Sequence, residues 1–458
     1  MENSPTIRAE MEKYLKQEGL SKTEFGHITG LNTGTVSGIV KGNRSMSVHQ
    51  LDSITAGMNL PPDYFYERYV EECIEESPHW RKISPFLYRC VELGRLDCVK
   101  RVVNILLDFP TYPPLLFEIA EDVFKDGYHE AAAFLYQKVA ESERHQHSEK
   151  LALCQYRLFT INIGDDRAIN LQAAIEFAPF VDRLNEIDQL DALKDLANIH
   201  RSLNHWDRVY ELAQEMKRRA KTLYGLSRCD EQKKPSRPLF VYIAYADLLG
   251  AAVCHAQGDY VTGLKYVNAH ADLSWVKESD PETQHWIGLF QGWAKINLCV
   301  NRLMAGDATV LPEYVEYMEA KDEIFAELLN IVEAANRYNL DIDDILDRFE
   351  PQIAAYKEPT SADLYTQQVL PEEAARFWYK LAKYNLIKGR YPYGFKCLID
   401  ALAKSDKINN AQLAHTCAGL FDRFRACADP EILEQYEKLS QEVWKKNDQK
   451  NGFTFSND

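Results

Sequence analysis

Glycine and proline are scarce, 21 and 18 in 458 residues. That is too few for a chain of short strands, which would need a turn about every ten residues. Positive charge is short as well: 53 Lys and Arg stand against 69 Asp and Glu, for a net charge of −16. A bulk positive field that coats nucleic acid or membrane is thereby excluded, though one small DNA-reading domain is not. The ten cysteines include no CxxC pair and none has a histidine at metal-ligand spacing, so a disulfide framework and a zinc site are both unexpected. Scattered thiols in a chain of this size are expected to be reduced core residues of a cytosolic protein. No apolar run approaches the ~20 residues that cross a bilayer. The opening MENSPTIRAEMEKYL has early acids and no apolar segment of a signal peptide. The expectation is a cytoplasmic protein without a membrane partner.

What is present is a globular composition, 46% hydrophobic and 27% charged, on a chain too long for one compact core. The first sixty residues divide into short helices. Ile7, Met11, Tyr14 and Leu15 share one helical face up to Gly19. Ser21-Lys-Thr-Glu24 is a capping box; the helix it opens carries Phe25 and Ile28 inward and stops at Gly30. Asn32 caps a third helix with Val36, Ile39 and Val40 as its apolar face, and Gly42 closes it. A fourth starts at Ser47 or Val48 and bears Leu51, Ile54 and Met58.

Two short helices separated by Gly30-Leu31-Asn32 have helix-turn-helix spacing, in which the second helix lies in the major groove of DNA. The run LSKTEFGHITGLNTGTVSGIVKGNRSMSVHQLDSITAGMNL resembles the phage-repressor, or Xre, type of helix-turn-helix domain, without a gap from Ile7 to Tyr66. The resemblance implies a core of Leu20, Phe25, Leu31, Val36, Ile39, Leu51 and Ile54. It implies a DNA-facing set of Lys22, Asn32, Thr33, Thr35, Ser37, Lys41, Asn43 and Arg44. Gly34 and Gly38 stand where such domains carry longer polar or basic side chains. Base reading then rests chiefly on Thr33, Thr35 and Ser37, with DNA shape supplying the rest. Residues 1–66 hold six Lys/Arg and seven Asp/Glu, a balance of −1, so dimerisation is expected to supply affinity for operator DNA.

From about Arg81 the chain reads as helix pairs. Segments 117–141, 191–216, 245–273 and 376–402 each carry small residues, then a turn, then an aromatic or alanine-rich return helix. The turns fall at Gly127, Asn204, Gly258 and Gly389. These segments resemble tetratricopeptide repeats, helical hairpins of about 34 residues. Weaker copies fit 83–110, 151–184, 286–320, 323–356 and 411–445, for eight or nine hairpins. The hydrophilic 225–240 reads as a long inter-helix loop. The expected fold is all-α: a helix-turn-helix domain over 1–68, a linker over 69–80, a right-handed repeat superhelix over 81–445 and a frayed polar tail over 446–458.

The concave face of such an array holds peptides or partner helices. Projected onto this sequence, Lys194, Asn198 and Arg201 fall on the inner stripe of one first helix, and Arg376, Tyr379 and Lys383 on that of a later one. Tyr245 and His255 line a hairpin between them, with Gln291 and Lys295 on the next. An asparagine amide bonds both groups of an extended peptide backbone, and Arg or Lys takes a carboxylate. Basic residues at i and i+3 or i+4 are more often a solvated face; for Lys194, Asn198 and Arg201 together the two readings stand level. No phosphate loop, GxSxG or HExxH is present. His129-Glu130 lacks a second histidine, and His145 and His147 sit in a charged segment without partners. Neither enzyme activity nor a metal or other cofactor is expected.

An Xre-like domain followed by a long tetratricopeptide array is similar to the RRNPP family of quorum-sensing receptors of Gram-positive bacteria and to the arbitrium receptors of their phages. The resemblance implies a homodimer, paired through repeats around 376–445. It implies that a short imported signalling peptide in the groove changes the spacing of two DNA-binding domains and hence operator affinity. A competing expectation is a regulator, like the Rap-type members, whose array binds another protein instead of switching DNA affinity.

Overall fold

The structure is a computed structural model; it describes residues 5–43, 45–75, 78–143, 148–164, 166–226, 235–319, 324–355 and 364–450. Among the described residues the chain is all-α, with 23 α-helices and no strand. It divides into two compact units, 1–161 and 162–458.

The first unit opens with α1 (Ile7–Gln17), α2 (Lys22–Thr29), α3 (Thr33–Val40) and α4 (Val48–Gly57). Their limits are written in local chemistry. Ser21 and Ser47 each form a full capping box, and the Asn32 side chain caps α3 by accepting from the Thr35 amide at 2.7 Å. Gly30 ends α2 at φ 70°, where a side chain would clash with its own backbone. Ile7, Met11, Phe25, Val36, Ile39, Leu51 and Ile54 are buried between these helices. Ile28 is not the core residue expected: α2 turns it outward, 56% exposed.

The described part of 69–80, expected as a linker, is largely helical; 76 and 77 lie outside the described residues. α5 (Tyr66–Tyr69) runs into a π-helical turn, Val70–Glu75, and Tyr69, Val70 and Ile74 are fully buried. α6 (Trp80–Glu92), α7 (Leu96–Leu106), α8 (Pro113–Lys125), α9 (His129–Ser142) and α10 (Glu149–Asn162) follow. Tyr66 donates to Asp52 at 2.8 Å, Arg89 pairs with Asp52 at 3.0 Å, and Arg95 pairs with both Asp63 and Glu67. The four-helix head is therefore fastened to the first hairpin by shared core and ion pairs. His145 and His147 lie outside the described residues.

The second unit continues with α11 (Arg167–Phe177), α12 (Glu186–Ser202), α13 (Trp206–Leu226), α14 (Leu239–Gln257), α15 (Tyr260–Ala271), α16 (Pro281–Met304) and α17 (Leu311–Glu319). It ends with α18 (Phe325–Tyr338), α19 (Asp343–Ala354), α20 (Leu364–Ile387), α21 (Tyr391–Lys407), α22 (Ala411–Phe424) and α23 (Pro430–Lys450). From α6 on, the helices succeed one another as nine pairs. The turns within seven pairs hold a residue at positive φ: Gly94, Gly127, Asn204, Gly258, Gly306, Asn339 and Gly389. These seven pairs share one turn device, and only Gly or Asn adopts that conformation readily. Small residues bring paired helices close: a Cβ at Gly250 of α14 would come 2.7 Å from the Tyr266 ring of α15.

Three further expectations change. α13 reaches Leu226 and α14 begins at Leu239, so the loop expected over 225–240 is shorter at both ends; 235–238 are non-helical, and 227–234 lie outside the described residues. The tail is helical through Lys450. α14 is long and apolar enough to cross a membrane, yet it is buried on most of its surface, packed in the array between α13, α15 and α16. Its apolarity is that of a helix covered on nearly every side.

Candidate functional site

α12, α14, α16, α18 and α20 are the first helices of five successive pairs, and together they wall a cavity of about 1220 Å³. That exceeds the ~300–1,000 Å³ usual for small-molecule pockets, which suits an extended chain of several residues better than a single metabolite. On α12, Lys194, Asn198 and Arg201 stand at i, i+4 and i+7 and so share the face that lines it. α14 adds Tyr245, Leu248 and His255; α16 adds Trp286, Trp293, Asn297 and Asn301. α18 supplies Glu327, Asn330, Glu333 and Arg337, and α20 supplies Glu372, Glu373 and Arg376.

The lining is electrostatically ordered. Asn198, 4% exposed, accepts the Tyr245 hydroxyl at 2.6 Å, and burial raises that phenol above its ordinary value. Burial opposes the charge on Lys194, yet Asp195, 2.9 Å away, with Asp191 behind it, holds the ammonium above its usual value. Arg201 lies 3.4 Å from Glu373. Burial pushes the Glu373 carboxyl up against the pull of Arg201 and Arg376, and its Oε2 makes no hydrogen bond among the described residues. For Glu333 the balance reverses: burial raises it, but Lys380 at 3.3 Å and Arg376 at 3.6 Å bring it below the usual range. His255 is pushed down, chiefly by burial.

Lys194, Asn198, Arg201, Tyr245, His255 and Arg376 thus come together in one cavity, whereas Gln291, Lys295, Tyr379 and Lys383 do not line it. The error is one of register. The cavity stripe of α16 runs through Trp286, Trp293, Asn297, Val300 and Met304, which leaves Gln291 and Lys295 exposed on another face. On α20 it runs through Val369, Glu373 and Arg376 toward Lys380, so Tyr379 packs against the core beneath and Lys383 falls beyond. The tryptophans seven residues apart are the signal that marks the inner face of α16.

A second candidate surface lies in the first unit, around α2 and α3. Thr33, Lys41 and Asn43 are exposed, and Lys22 and Ser37 are half-buried. Lys22 and Lys41 have no carboxylate partner among the described residues. Asn32 is exposed, but its carbonyl oxygen is committed to the cap. Thr35 does not face outward: it is 3% exposed beside Val36 and Ile39, because three residues from its cap the helix has turned that position into the core. Arg44 lies outside the described residues. Arg8 was not expected here; its guanidinium lies so close over Gly42, just past α3, that a Cβ there would come 2.6 Å from it. No known protein family matches the sequence, and no curated protein is significantly similar to it.

Proposed function

We propose that the chain is a cytoplasmic transcriptional regulator of the RRNPP kind. In this reading α2 and α3 form the DNA-reading helix-turn-helix, the paired helices are a right-handed tetratricopeptide array, and the protein acts as a homodimer on double-stranded operator DNA. A short linear peptide bound in the cavity is the switch, and no catalysis is involved. The observation that carries the reading is the cavity, walled by the first helices of five successive pairs and presenting amides, charges and aromatic rings at peptide length. Amides bond an extended backbone that has no secondary structure of its own. A peptide that prefers one pitch of the array shifts the equilibrium between two spacings of paired DNA-reading heads by its differential affinity, and both heads engage only when half-sites and heads are in register.

The test uses the purified full-length protein, its own promoter DNA and short peptides encoded immediately downstream of its gene. The expected outcome is slowed hydrogen exchange in α12, α14 and α20 with one such peptide, together with a changed promoter affinity. Tight promoter binding with no peptide effect would leave a repressor without a ligand. The protein-partner reading draws on one observation: Thr35 is buried and Asn32 is occupied as a cap, so α3 has few side chains for bases. Only weak, strongly salt-dependent DNA binding would favour it.

A further inference from the structure

The corner of the cavity between α12, α14 and α16 joins two chemistries. Tyr245, Leu248, Trp286 and Trp293 line it while packing against a buried cluster that includes Phe240 and Phe290. This apolar wall is backed by core and held in place before any ligand arrives. Two cations also face this corner. One is Lys194; the other is Arg237, in the segment entering α14, whose guanidinium lies 5.3 Å from the centre of the Trp286 ring. Arg237 has no carboxylate partner among the described residues.

The acids near Lys194 do not face the cavity. Asp195 is 5% exposed, and Asp191 accepts the hydroxyls of Tyr242 at 2.7 Å and Ser236 at 2.6 Å; neither lines the space. All four carboxylates that do, Glu327, Glu333, Glu372 and Glu373, come from α18 and α20. At the Lys194–Arg237 corner an anion therefore meets two cations with no carboxylate of the described residues facing the space, whereas toward the other wall the cations Arg201 and Arg376 stand beside Glu373 and Glu333; the same corner offers rings to an apolar group.

In a peptide, a carboxylate and a large apolar side chain share one carbon only at the last residue; a mid-chain acid brings its carboxylate without the apolar group. We propose that this corner takes the carboxyl-terminal residue of a peptide, its large apolar side chain against Trp286, Trp293 and Leu248 and its free carboxylate between Lys194 and Arg237. The proposal rests on the reading of the cavity as a peptide site. It also sets direction. Lys194 and Arg201 are seven residues apart on α12, about 10 Å along the axis, or about three residues of extended chain. The preceding residues then pass Asn198 and reach the Arg201–Glu373 pair, so the chain runs from α18 and α20 toward its carboxyl end at α12 and α14.

The test presents the full-length protein with mixtures of short peptides, random except for a fixed last residue and made without Asp or Glu. Each mixture is prepared as the free acid and as the carboxyl-terminal amide. Retained peptides are read by mass spectrometry. Mixtures ending in Leu, Ile, Met, Phe, Tyr or Trp should be retained best, and amidation should lower retention at least about tenfold. Arg237→Gln, a change at the cavity rim outside any helix, should abolish the difference between acid and amide while leaving the preference for an apolar end. Retention indifferent to the last residue, or equal for acid and amide, would overturn the proposal and leave the peptide reading standing. No retention from any mixture would remove both.

Discussion

Gly26 and Gly34 sit on either side of the turn between α2 and α3, and the same substitution should act on them with opposite sign. A Cβ on Gly26 would come 2.6 Å from the Leu31 carbonyl oxygen. That atom is backbone, held in the turn by the bonds Gly26 itself accepts from Gly30 and Leu31, and it cannot rotate aside. At Gly34 the nearest atom to a new Cβ is the Asn32 side-chain oxygen at 3.4 Å, an ordinary contact. Gly26→Ala should therefore destabilise the head by about 1–3 kcal/mol through overpacking. Gly34→Ala should stabilise it by up to about 1 kcal/mol through helix propensity. Urea midpoints of the two variants decide this, and a neutral Gly26→Ala would mean the turn relaxes. Lys41 belongs to the same scale. If α3 enters the major groove and Lys41 meets a phosphate, Lys41→Gln should weaken binding about equally on all sequences and reduce the salt slope by about one. An unchanged slope would remove Lys41 from the interface.

Among the elements, α12 shows why some of this architecture was legible in the sequence and some was not. Helix ends are local events, so Ser21, Asn32 and Ser47 announced theirs, and Gly258 and Asn204 announced turns that the weaker copies repeat. On α12, Lys194, Asn198 and Arg201 recur at i, i+4 and i+7, so these three could be assigned to a single face. α16 is contacted on several sides, by α14, α15, α17 and α18, and a helix covered that way has no single apolar face from which to read register; hence the misplacement of Gln291 and Lys295. Long-range closeness is not written locally at all. At the carboxyl end of α12 a local contact has a consequence of its own: the Nδ1 atoms of His200 and His205, five residues apart, lie 3.3 Å from each other. Burial, then the charges of His205 and Arg208, push His200 down to about 4, against about 6.5 in an unfolded chain. Between those values the unfolded state binds the proton that the folded state refuses, so stability is lost as pH falls from about 6.5 toward 4. His200→Asn should flatten that part of the denaturation profile. A profile as steep as the parent's would place the proton-linked loss elsewhere, for instance at His270, which burial also pushes down.

At the scale of the second unit, the succession of helix pairs closes on itself. α12 packs against α20 across more than 160 residues of sequence, and the seam is polar. Glu372, 5% exposed, takes Arg167 at 2.8 Å, Asn204 at 3.2 Å and Asn410 at 2.8 Å. Beside it, Asn409 donates to Asp166 at 3.1 Å, the Arg167 amide donates to the Ile408 carbonyl at 3.1 Å, and Arg201 meets Glu373. One carboxylate thus gathers three donors from three parts of the chain. Removing it leaves the half-buried Arg167 guanidinium with only the Ser202 carbonyl as acceptor among the described residues, a loss of up to about 3–5 kcal/mol, the range for breaking a buried pair. Glu372→Ala should destabilise the unit by that order, with a local signature: amides of α11, α12, α20 and the start of α22 should exchange faster, while α14 and α15, across the cavity, keep their protection. Uniform loss of protection would mean that the seam is no separate element of stability. Because Arg201, Asn204, Glu372 and Glu373 also line the cavity, a ligand that touches them acts on the contacts that hold the array closed. Closure and binding then share a coupling free energy and are reciprocal. A peptide that protects α12 and α20 in the parent should bind the Glu372→Ala protein more weakly by the free energy needed to close the seam, whereas equal affinity for both proteins would show that the cavity takes its occupant without using the closure.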